Sequence, residues 1–134
     1  MNDHRWKQSY TQFKKAYQLL EDTALVKNLS VAERAGLIQF YEMSIELAWK
    51  LLKDYLEGQG FMGIKGPKDA VKKAFQEGYI KDGLLWMKAL DDRNLTVHTY
   101  NENIAETVAD SIINHYLPLL KALKDQFNNS TKNC

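Results

Sequence analysis

Apolar residues return at helical intervals along nearly the whole chain, and no segment shows the strict alternation of a strand. Trp6, Tyr10, Phe13, Tyr17, Leu20 and Ala24 recur at steps of 4, 3, 4, 3 and 4. That spacing puts all six on one stripe, and its mean of about 3.5 is the seam of helices packed nearly parallel. It predicts a first helix over about residues 3–27, with Asn2 or Asp3 as its N-cap.

Ser30-Val31-Ala32-Glu33 is a capping box, in which Ser30 and Glu33 satisfy orphan amides reciprocally. The second helix it opens carries Leu37, Tyr41, Ile45, Ala48, Leu52 and Tyr55 as its buried stripe, with Glu46 and Lys50 supporting the outer face. Gly58-Gln59-Gly60 ends it, and the stretch to Pro67 holds four of the chain's seven glycines, a composition that predicts a loop. Pro67 suits the first position of a short third helix with Ala70, Val71, Ala74 and Phe75 inward and Gly78 at its end. Asp82 is placed to cap a fourth, with Leu84, Leu85, Met87 and Leu90 inward. Asn101 is placed to cap a long last helix with Ile104, Ala105, Val108, Ile112, Tyr116, Leu119 and Leu123 on its stripe. Pro118 inside that helix should kink it or loosen one turn. The fold class that follows is all-α: an up-and-down bundle of four or five helices.

Composition bounds the function. A chain of 134 residues is one ordinary domain, expected over 1–127 with a disordered polar tail at 128–134. Net charge is +1, which excludes a strongly basic nucleic-acid coat or an acidic tail. The one cysteine, Cys134, allows no intrachain disulfide and no cysteine-based zinc site. The opening MNDHRWKQSYTQF lacks the apolar run of a signal peptide, and no stretch reaches the roughly 20 apolar residues of a membrane span. These features together point to a cytoplasmic protein away from membranes. There is no phosphate loop, no G-x-S-x-G elbow and no H-E-x-x-H, and the adjacent Asp91 and Asp92 should diverge on a helix. We therefore expect no cofactor and no metal.

Of 18 cationic residues only Arg5, Arg34 and Arg93 are arginines. Arg93 belongs to the segment Asp91-Asp92-Arg93-Asn94-Leu95-Thr96-Val97-His98-Thr99-Tyr100, at the corner between the fourth and last helices. A guanidinium can neutralise a phosphate bidentately, and a histidine near it can move a proton near neutral pH. Together they suit phosphodiester chemistry without a metal. Two structural readings stand beside this one: His98 as a residue that only fixes the corner, and Arg93 as an ion pair with Asp91, Asp92 or a neighbouring helix. Trp49 and Trp86 could wall a base, though aromatics at helical spacing are more often core. Between residues 65 and 88, Lys65, Lys68, Lys72, Lys73, Lys81 and Lys88 outnumber the acids, which could draw RNA locally or be a solvated face.

The stretch FYEMSIELAWKLLKDYLEGQG (40–60), followed by GPKDAVKKAFQEGYIKDGLLWMKALDDRNLTVHTYNE (66–102), resembles the nucleotidyltransferase substrate-binding protein family, within the HEPN superfamily of helical nucleotide-binding domains. Arg93, Asn94 and His98 match the superfamily's Arg, polar residue and His in order. Tyr100, two positions past the His, matches the extension found in the HepT-like toxin branch. The resemblance implies a bundle that homodimerises around a shared cleft and works with an MNT-type nucleotidyltransferase encoded nearby. In the toxin half of such a pair the bundle is a metal-independent endoribonuclease, silenced when AMP is transferred to the tyrosine. Carried over, Arg93 binds phosphate beside Asn94, His98 acts as acid or base, and Tyr100 is the AMPylation site. The alternative implied by the family is a non-catalytic subunit that binds a nucleotide or other substrate for the transferase.

Overall fold

The computed structural model describes the backbone of residues 4–94 and 101–132. Its elements are α1 (His4–Ala24), α2 (Val31–Gly58), α3 (Pro67–Gln76), α4 (Gly83–Arg93) and α5 (Glu102–Ser111), then a π-helical turn (Ile112–Tyr116) and α6 (Leu117–Lys132). The all-α class expected from the periodicity is the class found.

Helices α1 and α2 pack antiparallel, because Arg5 at the start of α1 reaches Glu57 at the end of α2 (3.3 Å). Five residues of the α1 stripe, from Trp6 to Leu20, are buried, and α1 ends at Ala24, three residues before the expected limit. The Ser30–Glu33 capping box forms with both hydrogen bonds in place. The last helix runs beside α2 in the same direction. Arg34 near the start of α2 pairs with Glu102 in the first turn of α5 (2.8 Å), and Tyr55 near its end packs edge-on against Phe127 of α6 (5.1 Å between centroids). Trp6 joins that cluster from α1, 5.4 Å from both Tyr55 and Phe127. Arg5 and Arg34 thus staple helices to one another at opposite ends of α2.

Helices α3 and α4 form an antiparallel hairpin against α2. Lys68 at the start of α3 meets Asp91 at the end of α4 (3.1 Å). At the closed end Gly83 lies so near the Phe75 ring that an added Cβ would sit 3.0 Å from Phe75 Cγ. Here the inward residues depart from expectation. Phe75 is exposed and Leu84 almost fully so, whereas Trp86, Ala89 and Leu90 are the buried residues of α4, with Leu85 and Met87 half-buried. A hairpin of two short helices is covered on one side only, so its register is set by where α2 and the last helix lie, which local spacing does not encode. Asp82 does not cap α4 with its side chain. It adopts the left-handed conformation (φ 56°), and its carbonyl accepts the Trp86 N–H.

Asn101 caps α5 as expected, its side chain accepting the N–H groups of Asn103 and Ile104. Pro118 has its predicted effect one turn upstream. Proline cannot donate to a carbonyl four residues back, and its ring would collide with that carbonyl. The helix widens at Ile112–Tyr116, and the Leu117 N–H reaches back five residues to the Ile112 carbonyl. The α6 backbone stays helical to Lys132, five residues past the expected boundary at 127. Among the described residues, no helix is long and apolar enough to cross a membrane.

Candidate functional site

At the end of α4 three consecutive residues point about 100° apart, as helix geometry requires, and each is held by a different element. Asp91 pairs with Lys68 of α3. Asp92 accepts a hydrogen bond from the Tyr116 hydroxyl in the π-helical turn and lies 3.7 Å from Lys88. Arg93 pairs with Glu46 of α2 at 2.9 Å. The two aspartates diverge as the sequence predicts, and the divergence anchors the terminus of α4 from which the Asn94–Tyr100 segment departs.

Glu46 makes the pair with Lys50 that the sequence predicts, and further contacts that it does not. Its expected partner Lys50 is 3.9 Å away, but the stronger contacts are to Arg93 and to the Trp49 indole N–H (2.8 Å). It is half-buried and reaches Arg93 at the end of α4. The available signal was its position beside Ile45, on the flank of the buried stripe. Arg93 accordingly takes the neighbouring-helix reading of its ion pair. Because Glu46 holds one end of the guanidinium, Arg93 is oriented toward an open cavity of about 410 Å³. Trp49, Lys65, Lys68, Leu90 and Asn94 line the same cavity. Asn94 is the exposed C-cap of α4. The two tryptophans separate here: Trp86 is core, and Trp49 belongs to the site.

His98 and Tyr100 lie outside the described residues. His115 is exposed and lines a separate cavity of about 390 Å³ with Trp86 and Pro118. Among the described residues, no group of three His, Cys, Asp or Glu side chains is placed to hold a metal ion.

Behind Arg93, Tyr41 stacks on Tyr116 (5.6 Å between centroids) and donates to the Ala89 carbonyl (2.6 Å). Burial, then the Asp92 hydrogen bond and charge, push the Tyr116 phenol well above its ordinary value. Burial, followed by the adjacent Tyr116 and Asp92, does the same to Tyr41 against a smaller opposing pull from Arg93. Both phenols therefore stay protonated and serve as fixed donors, not as bases. In the unfolded chain each loses its proton near pH 10. Above that pH the folded state holds protons that the unfolded state releases, so stability falls as pH rises. Urea melts between pH 9 and 11 should show this decline, and Tyr116→Phe should make it shallower; an unchanged slope would contradict the assignment.

A family model described as nucleotidyltransferase substrate binding protein like matches residues 6–129. The Haemophilus influenzae protein "Probable ribonuclease HepT" is 36% identical over 78 residues, covering 55% of this chain and 53% of that protein, so the chain spans about half the length of this curated relative. A solved structure from Thermus thermophilus is similar at 34% identity and a TM-score of 0.74, over 88% of this chain and 97% of that one. A Haemophilus influenzae structure, described as the fold of a substrate binding domain of a nucleotidyltransferase, is similar at 27% identity and a TM-score of 0.78, over 89% and 98%.

Proposed function

Since the chain belongs to the nucleotidyltransferase substrate binding protein like family, we propose that it is a HepT-like HEPN protein, the toxin half of a toxin–antitoxin pair with an MNT-type nucleotidyltransferase. On this reading two copies form a homodimer whose paired Arg93 and His98 residues cleave RNA in the cytoplasm without a metal. One His98 takes the proton from a ribose 2′-hydroxyl as its oxygen attacks the adjacent phosphorus. The other gives a proton to the departing 5′-oxygen, leaving a cyclic phosphate and a free hydroxyl. Arg93 neutralises the phosphate through paired N–H donors, with Asn94 beside it. The partner transferase silences the enzyme by moving AMP onto the Tyr100 oxygen.

The observation that supports this best is the open cavity at Arg93, with the guanidinium held at its wall by Glu46. The test is cleavage of single-stranded RNA in EDTA. Wild-type protein should cleave and His98→Ala should not; equal product from both would refute the reading. Co-expression with the transferase should add one AMP to the intact mass, and Tyr100→Phe should abolish the addition. A second reading, a non-catalytic subunit that binds a nucleotide for the transferase, is favoured by the Trp49 indole in the same cavity. Calorimetry showing nucleotide binding, in a protein that leaves RNA intact, would select it.

A further inference from the structure

The cavity beside Arg93 is larger than a single phosphate requires, and its walls offer more than one kind of contact. Trp49 presents a half-buried indole that is pinned by its N–H to Glu46, so the ring holds its orientation. Leu90 adds apolar surface, and Lys65 and Lys68 bring ammonium groups from the loop before α3 and from its first turn.

The two carboxylates of the cavity are already engaged. Glu46 is taken by Arg93 and Trp49, and Asp69 accepts the Lys65 backbone N–H (3.2 Å). Lys68 is shared only with Asp91, an exposed pair of the kind that exchanges easily with another anion. Among the described residues, the Lys65 ammonium has no ion pair. An aromatic plate with one unpaired ammonium and one in an exchangeable pair beside it suits a single-stranded nucleic acid, one part for a base and one for a phosphate.

We infer that this cavity is a subsite for the nucleotide adjoining the phosphate held by Arg93, with its base stacked on Trp49 and its own phosphate on Lys65 and Lys68. The inference rests on the ribonuclease reading for the identity of the strand, and it assigns Trp49 and Lys65 as positioning residues for substrate. Stacking on an indole face is tolerant of base identity, so the subsite sets where the strand lies and adds little sequence preference.

The test uses a dye-labelled 2′-O-methyl tetranucleotide, which lacks the hydroxyl that cleavage requires. Its binding is followed by anisotropy, and cleavage of the matching RNA is measured in parallel. Trp49→Leu should weaken binding about tenfold. Lys65→Gln, an exposed loop change that leaves the core untouched, should lower the slope of log affinity against log salt by about 0.7. RNA cleavage with both variants binding as wild type does would overturn the subsite and leave the ribonuclease reading standing. Weakened binding in both variants, with RNA never cleaved by wild type, would support the subsite and refute the ribonuclease reading. A wild-type protein that binds no tetranucleotide would overturn the subsite.

Discussion

On the proposed ribonuclease reading, replacing Arg93 with lysine is expected to lower RNA cleavage about 100-fold while leaving the fold intact. The substitution keeps the positive charge and can keep the ion pair with Glu46, which Arg93 makes at 2.9 Å. It removes the planar fork that meets two phosphate oxygens at once. Losing one preorganised donor to a developing charge costs about 10²–10³ in rate, and the retained point charge places this change at the lower end. The measurement is initial cleavage rate in EDTA with circular dichroism as the control for folding. A lysine variant that cleaves at the wild-type rate would show that charge alone suffices, and would remove Arg93 from its assigned role.

The largest effect on stability is expected at Trp86, where alanine should cost about 3–5 kcal/mol. The side chain is 1% exposed and belongs to the central core cluster, so truncation leaves a cavity that helices anchored at both ends cannot close. Domains of this size are stable by only about 5–15 kcal/mol, so the loss should lower the melting midpoint by roughly 10–20 °C. Two positions away, Leu84 is 90% exposed, and Leu84→Ala should change stability by no more than about 0.5 kcal/mol. Thermal melts of the two variants test the register of α4 directly. Equal destabilisation would mean that the helix turns a different face to the core.

That register also shows where the sequence stops being legible. Long helices were readable because each buries a wide stripe, and many residues must agree on one phase. The α1 stripe, the Ser30–Glu33 box, the Asn101 cap and the disturbance before Pro118 all lie where periodicity and cap chemistry put them. Helix α4 has eleven residues, and several phases fit its apolar pattern equally well. Sequence spacing put Leu84 inward, and contact with α2 and the last helix left it exposed, while Trp86 is core, as aromatics at helical spacing more often are. Glu46 was legible only in part for a related reason. An i,i+4 partner is visible in the sequence, whereas a partner 47 positions away on another helix is not.

The sequence by itself determined the helical class, the number of long helices, the caps at Ser30 and Asn101, and Arg93 as the arginine worth isolating, because each depends on neighbours within a few turns; the cap expected at Asn2 or Asp3 lies outside the described residues. The arginine count narrowed as a result: Arg5 and Arg34 are staples at the two ends of α2, and Arg93 faces the cavity that Trp49, Lys65 and Lys68 line. Only the tertiary structure decided what surrounds Arg93. Glu46 and Trp49 come from α2, Lys65 from the loop after it and Lys68 from α3, all distant in the chain from Arg93, and packing alone brings them to one wall. Local free energies set the elements; the burial of Trp86, Tyr41 and Tyr116 between them set where the elements meet, and with that the shape of the site.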